Sequence, residues 1–386
     1  MPVGLGRPAE ARTICAPLPE RELMPDLESL RKQLGAIDRD IIGLLARRQE
    51  ISAQVGRYKH DAGLPTRDFA QEVRVIGRAR GQAESAGLPG ELAENIVRLL
   101  INASLSRQER VRLRARGRGE GHRALVVGGG GKMGRWFCEF LSSQGYAVTV
   151  ADPGKAPSKL PQVECWQDAP DQFELTVVAA PVAVSARILT EMQQAGHAGL
   201  IFDIASIKDP VKDILARMAS AGMQVASIHP MFGPDTDLLS GCHVLLMDVG
   251  SAEAAKAAAE VFAGTMVEIL RVPMDEHDRL IAWVLGVSHA INLAFINALE
   301  ESGEQAPALA RMSSTTFDAQ LAVAHAVAED NPHLYFEIQK LNPHGAEVLG
   351  ELVGTVEKLS RLVRSGNEAE FVRMMESGRR YLAARK

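Results

Sequence analysis

The stretch Leu125-Val-Val-Gly-Gly-Gly-Gly-Lys-Met-Gly134 constrains this chain more than any other. A short apolar run ending in clustered glycines, with a helical pattern directly after it, describes a strand that turns sharply into a helix. Gly129, Gly131 and Gly134 satisfy the spacing G-x-G-x-x-G. Glycines at these places permit the tight turn and the close backbone approach of a pyrophosphate, which the helix N-terminus stabilises. The next apolar strand, Tyr146–Ala151, runs into Asp152, about 20 residues further on. A carboxylate there accepts hydrogen bonds from both ribose hydroxyls and repels a 2′-phosphate, so NAD is the expected cofactor in preference to NADP. The expected dinucleotide contacts are Gly129, Gly131, Lys132, Met133, Gly134 and Asp152, with Pro181 at the end of a later strand.

Strands are read at 124–127, 146–151, 175–180, 200–204, 223–228 and 243–247, with helical patterns between most of them. That alternation is the pattern of a doubly wound, largely parallel sheet, a Rossmann domain. On either side the chain is helical. Leu27, Leu30, Leu34, Ile37, Ile41, Leu44, Ile51, Val55 and Tyr58 recur at the spacing of one long amphipathic helix, ended by Gly63, Leu64 and Pro65. Arg48 stands where that stripe predicts an apolar residue. Two more helical stretches follow at 68–86 and 89–114. Three helices in about 90 residues bury little surface alone, so an intertwined homodimer is expected. From Pro273 onward only helical periodicity is found.

The expected architecture is therefore multidomain: an all-α region at 21–112, a linker at 113–122, an α/β domain at 123–272 and an all-α region at 273–386. Residues 1–20, with Pro2, Pro8, Pro17 and Pro19 and no periodicity, read as a disordered leader. The seven arginines from Arg107 to Arg123, interleaved with Gly117, Gly119 and Gly121, read as a solvated helix end and hinge rather than a phosphate-binding arm.

Composition excludes several partners. A net charge of −5 argues against nucleic acid or an anionic membrane surface. No uninterrupted run of about 18 apolar residues is present, so no membrane-spanning helix is expected. The first twenty residues lack the apolar core of a signal peptide. Cys15, Cys138, Cys165 and Cys242 are far apart and form no C-x-x-C, so neither a disulfide framework nor a metal site is indicated. The expectation is a cytoplasmic protein acting on small molecules.

An enzyme that uses a nicotinamide needs a group to take a proton while hydride leaves, placed where strand ends face the cofactor. Asp203-Ile-Ala-Ser-Ile-Lys208 puts Ser206 and Lys208 just past one strand. Ser227-Ile-His-Pro-Met-Phe-Gly-Pro-Asp235 puts His229 at the end of the next, in a segment stiffened by Pro230 and Pro234. These segments, the glycine loop and the later Glu276-His277-Asp278 resemble the prephenate dehydrogenase family. The helical segment before them resembles the all-helical chorismate mutase family, and the order of the two, over residues 24–386, resembles the bifunctional enzymes in which they are fused.

For the second half the resemblance implies NAD-dependent oxidative decarboxylation of prephenate to 4-hydroxyphenylpyruvate. By it, His229 accepts the proton of the substrate 4-hydroxyl, Ser206 orients that histidine, and His289 in Val287-Ser-His-Ala-Ile-Asn292 contacts substrate. One position departs. Where the family carries an arginine for a substrate carboxylate, five residues before an Asp-Pro pair, this chain has Ala326 before Asn331-Pro332. Losing such a cation costs on the order of 2–5 kcal/mol, so another group must serve, and His325, Lys208 and His289 are the nearest in sequence.

For the first half, rearranging chorismate to prephenate needs no nucleophile, only conformational restraint and charge beside the breaking ether bond. Arg48 and Lys59 lie 11 residues apart on the first helix. That is about 20° around it and ~16 Å along it, a spacing on which two cationic arms can close on a small dianion. The chorismate mutase resemblance then implies that Arg31 crosses from a partner protomer, Arg48 binds a carboxylate, and Lys59 and Gln108 bond the ether oxygen. By the same match Glu72 takes the C4 hydroxyl, Ser104 assists at the ring and Asp68 contacts substrate, while Gln71 stands where the family has arginine. Two alternatives stay open: the same reactions on 4-amino-4-deoxychorismate and 4-amino-4-deoxyprephenate, and a dehydrogenase whose mutase region only dimerises.

Overall fold

The computed structural model describes residues 26–117, 119–154, 159–169 and 172–384; the expected leader, Cys15 and Arg118 lie outside them. The chain forms two compact units, one ending at Ile51 and the other running from Ser52. The boundary falls inside α1 (Leu27–Asp61), whose first part exposes Leu30, Leu34, Ile37, Ile41 and Leu44.

In the second unit, Asp68 caps α2 (Phe69–Ser85) by accepting from the Gln71 N–H at 2.9 Å, and Pro89 precedes α3 (Gly90–Arg116). The last turns of α1 cross α3 closely. A Cβ on Gly56 would lie 3.0 Å from Gln108 Cγ, while Ser52 Oγ donates to Ser104 O and accepts from Gln108 Nε2, both at 3.2 Å. The segment expected as a hinge is pinned: a Cβ on Gly117 would stand 2.3 Å from Gln144 O, and the Gly119 N–H donates to that same carbonyl at 3.1 Å.

The α/β region runs β1 (Arg123–Val127), α4 (Lys132–Ser143), β2 (Ala147–Ala151), β3 (Gln162–Val163), β4 (Leu175–Val178) and α5 (Val182–Ala195). It continues with β5 (Leu200–Asp203), α6 (Asp209–Ser220), β6 (Val225–Pro230), β7 (His243–Met247), α7 (Ala252–Val261) and β8 (Glu268–Arg271). The eight-stranded sheet has the order β3-β2-β1-β4-β5-β6-β7-β8. Strands β3 to β6 are parallel; β7 pairs antiparallel with β6, setting His229 opposite Leu245. Ala124 and Val126 pack with Phe137 and Leu141 of α4 and Ala254 of α7, whereas Leu125 and Val127 pack with Leu189 of α5 and Leu215 of α6. Both faces are thus covered, as a parallel sheet requires. Strands β3 and β8 were not expected. The first has two residues, and the second, at the sheet edge, leaves Glu268 and Arg271 exposed, so neither shows an apolar run.

The remainder is helical: α8 (Met274–Ile281), a π-helical turn (Ala282–Val287), α9 (Ser288–Glu301), α10 (Ala306–Arg311), α11 (Thr315–Ala328), α12 (Pro332–Leu341), α13 (Gly345–Ser365) and α14 (Glu368–Ala383). The 28 residues Met274–Glu301 are long and apolar enough to cross a membrane by length and composition. This corrects the expectation that no segment qualifies, because an interrupted helix can reach that apolarity without one continuous run. The helix packs against α11, α12 and α13 and buries His277, Asp278 and Asn292, while Leu280, Trp283, Val284 and Ile291 on it are exposed.

Candidate active sites

The glycine loop has the shape of a dinucleotide cradle. Gly128 adopts φ +83°, and a Cβ there would stand 2.6 Å from Ala179 O at the end of β4. A Cβ on Gly134 would lie only 2.1 Å from Gly128 O, so α4 can start this close to β1 only with glycine there. Gly131 caps α4, and Lys132 and Met133 form its first turn. Asp152 follows β2 and accepts from the N–H groups of Gly130 at 2.9 Å and Gly154 at 2.7 Å. These residues fit a dinucleotide: the backbone is bare where a pyrophosphate would approach, the helix N-terminus faces it, and a carboxylate stands at the ribose position. Pro181, exposed, begins α5. Gly128 is a functional glycine that the motif spacing does not single out.

His229 sits on β6 in a buried polar chain. Its Nδ1 lies 3.0 Å from His277 Nε2, and His277 Nδ1 lies 2.7 Å from Asp278 Oδ1. Asp278 is itself fixed by the start of α6: Oδ1 accepts from the Lys208 N–H at 2.9 Å and Oδ2 from the Asp209 N–H at 2.8 Å. Burial raises the Asp278 pKa, but the bonds from His277 and from both backbone groups outweigh it and hold the carboxyl below its usual value. A carboxylate can only accept, so His277 Nδ1 carries a hydrogen, its Nε2 is bare, and His229 must donate from Nδ1. His229 Nε2 is therefore left with a free lone pair. Burial, then the neighbouring His277 and Lys208, push the His229 pKa well below 6.5. The arrangement holds a neutral histidine in one tautomer, ready to accept a proton. The Glu276-His277-Asp278 motif does not by itself reveal that His277 and Asp278 fix the tautomer of His229.

Lys208 differs from its expected place. It is 1% exposed, and its ammonium donates to Asp203 Oδ2 at 2.7 Å and Ile228 O at 2.8 Å. Tied in this way, it braces β5 against β6 next to His229 rather than reaching out to a substrate. Ser206 is half-buried in the same turn. His289 lies on α9 stacked on Tyr335, ring centroids 4.1 Å apart, and burial lowers its pKa. His325 and Ala326 are exposed on α11. Lys132 Nζ reaches Asp330, just before α12, at 3.1 Å.

Of the mutase candidates, Arg31 and Arg48 lie on the first unit's part of α1, and burial lowers the Arg48 pKa. The others lie in the second unit. Lys59 Nζ donates to Thr66 O at 2.6 Å, and Ser104 Oγ to Leu100 O at 2.7 Å. Glu72 is held bidentately by Arg67, Nε to Oε1 at 2.9 Å and Nη2 to Oε2 at 3.1 Å. Gln71 Oε1 accepts from Arg74, and Gln108 Oε1 is buried without a bonded partner among the described residues. Arg67 went unnoticed in the sequence, although Arg67-Asp68 immediately precedes α2.

Comparison with known proteins covers both regions. Residues 30–109 match the family Chorismate mutase type II, residues 161–270 match Prephenate dehydrogenase, nucleotide-binding domain, and residues 273–377 match Prephenate dehydrogenase, dimerization domain. The T-protein of Enterobacter agglomerans is 25% identical over 353 residues, 91% of either chain. The 4-amino-4-deoxyprephenate dehydrogenase of Streptomyces pristinaespiralis is 30% identical over 263 residues, 64% of this chain and 87% of that one. Prephenate dehydrogenase from A. aeolicus, in complex with hydroxyphenyl propionate and NAD+, has the same fold over 66% of this chain and 95% of its own, with a TM-score of 0.53 and 18% identity. From α1 through α14 the chain belongs to the T-protein family, in which a chorismate mutase is fused to a prephenate dehydrogenase.

Proposed function

We propose that this enzyme rearranges chorismate to prephenate in its helical N-terminal region and then converts prephenate to 4-hydroxyphenylpyruvate with NAD, two consecutive steps toward tyrosine. The observation that carries the dehydrogenase reading is the bare Nε2 of His229, held in one tautomer by His277 and Asp278 at an end of the sheet. Bound NAD supplies the hydride acceptor. His229 takes the proton of the 4-hydroxyl at Nε2 as hydride leaves C4. The C1–carboxylate bond then breaks, its electrons enter the ring, and carbon dioxide departs as the ring becomes aromatic. Ser206, half-buried in the turn after β5, makes no bond to His229 among the described residues, and the bond that orients His229 comes from His277. His289, whose buried Nδ1 has no bonded partner among the described residues, faces the substrate together with His325.

In the mutase site Arg31 and Arg48 take the two carboxylates, Lys59 and Gln108 the ether oxygen, Glu72 the C4 hydroxyl, and Ser104 and Asp68 line the ring. Arg31 comes from a second copy. The apolar side chains exposed along α1 and along α13 and α14, among them Leu34, Ile41, Val353, Val356 and Met375, support a homodimer. Free thiols at Cys138, Cys165 and Cys242 support a reducing cytoplasm. Purified enzyme given prephenate and NAD should form NADH and 4-hydroxyphenylpyruvate in equal amounts, and His229→Asn should abolish both while leaving chorismate loss intact. NADH formation undiminished in His229→Asn would refute the assignment.

A second reading rests on the two departures, Gln71 and Ala326, and on the Streptomyces relative: the same reactions on 4-amino-4-deoxychorismate and 4-amino-4-deoxyprephenate. It requires a rate preference for the amino substrates. Equal or faster turnover of prephenate disposes of it.

A further inference from the structure

The loop from Met231 to Cys242 continues directly from His229-Pro230 and returns as β7. Three of its residues, Asp237, Leu239 and Ser240, are held by the helical N-terminal region. Arg110 pairs with Asp237 at 2.7 Å, and the Glu109 carboxylate accepts from the N–H groups of Leu239 at 3.0 Å and Met266 at 2.6 Å. Arg67 Nη1 donates to Ser240 Oγ at 2.6 Å. The Arg110 pair is exposed and contributes little. Glu109 is different: 2% exposed, on α3 next to Gln108, it spends both oxygens on backbone N–H groups of the α/β region. That fixes where α3 lies against the loop.

Within this frame Arg67 makes three bonds in two domains. Two nitrogens of its planar guanidinium hold both oxygens of Glu72, the third bonds Ser240, and the group lies over the Phe69 ring, 4.5 Å from its centroid. A bidentate guanidinium–carboxylate pair moves as one rigid unit. Arg67 immediately precedes the Asp68 cap of α2 and Glu72 lies in its first turn, and the Ser240 bond is what ties their joined heads to the dehydrogenase region. We propose that Arg67 is a positioning residue of the mutase: it sets the orientation of the Glu72 carboxylate and takes its own from Ser240, so the mutase site is completed by the loop that follows the dehydrogenase histidine. The inference rests on Glu72 receiving the chorismate hydroxyl.

That hydroxyl is present in both ground and transition states, so a misplaced Glu72 weakens uniform binding, which appears in KM rather than kcat. The experiment uses the full-length enzyme. Ser240→Ala should raise the mutase KM for chorismate about three- to tenfold, the effect of one lost hydrogen bond, with kcat held within about twofold. Ser240→Thr, which keeps the hydroxyl, should restore KM. Arg67→Lys, which cannot form the fork, should raise KM further. Dehydrogenase KM for supplied prephenate and the melting temperature should stay at wild-type values in Ser240→Ala. An unchanged mutase KM in Ser240→Ala overturns the inference while leaving the mutase assignment intact. So does an equal fall of both activities with a lowered melting temperature, since the contact would then only hold the fold. A wild-type enzyme inert to chorismate overturns the mutase assignment and this inference with it.

Discussion

His229 Nδ1 lies 3.0 Å from His277 Nε2, and the direction of that hydrogen bond is decided one residue further along, at Asp278. Because Asp278 already accepts from two backbone N–H groups of α6, it cannot reverse its role, and the polarity of the chain is fixed through to His229 Nε2. The proposed base of the dehydrogenase is thus held in its tautomer by a carboxylate 49 positions away in sequence. His277→Leu removes the acceptor, and dehydrogenase kcat should fall by roughly 10²-fold, within the usual range for a correctly placed general base. His277→Gln keeps an acceptor at similar reach and should recover part of the rate. Mutase activity, assayed on the same samples, should be unaffected by either.

The pH dependence follows from the buried state of this pair. Burial comes first in lowering both histidine pKa values, with the neighbouring positive charges adding to it for His229. Dehydrogenase kcat/KM should therefore hold through pH 6.5 on its acid side and decline only well below it, as His229 is protonated. Stability runs in the same direction. The unfolded chain protonates these histidines near 6.5 and the folded chain only at lower pH. The stability that depends on them is present above 6.5 and is lost as pH falls below that value. Urea midpoints at pH 7.5 and pH 5 test this, with the lower midpoint at pH 5; a higher midpoint at pH 5 contradicts it.

The dinucleotide cradle makes a steric prediction and an electrostatic one. Gly134→Ala forces a methyl group to 2.1 Å from Gly128 O, so α4 must shift and NAD binding, read by quenching of intrinsic fluorescence, should be lost. Asp152→Asn should raise the KM for NAD about tenfold by weakening the ribose bonds. It should also narrow the preference over NADP, since the repelling charge is gone.

For the mutase, Lys59→Ala removes the cation proposed to meet the ether oxygen. Chorismate turnover should fall by about 10²–10³, the cost of removing one donor to a developing charge. NADH formation from supplied prephenate should continue. A mutase region that only dimerised would show no change at all.

The parts of this protein legible in sequence are those whose partners are local. The strand–glycine–helix turn, Asp152 at the end of the next strand, and His229 before Pro230 each declare themselves within a few residues. Lys208 is visible in sequence but its burial is not: Asp203, five residues earlier, pairs with it, and only the packing of β5 against β6 shows that both are buried. His277, Asp278, Glu109 and Arg67 lie on helices whose periodicity says which face is apolar and nothing about which strand or loop that face will meet. The π-helical turn at Ala282–Val287 has no sequence signal of this kind. Its Gly286 carbonyl is instead met by Gln339 of α12 at 2.8 Å, a contact made only in the folded chain.

The most direct test of the whole account is one assay: purified full-length enzyme with chorismate and NAD, following loss of chorismate and gain of NADH together. The account predicts that both change, with NADH lagging until prephenate accumulates and 4-hydroxyphenylpyruvate as the product. Loss of chorismate with no NADH, or no change in either signal, contradicts it.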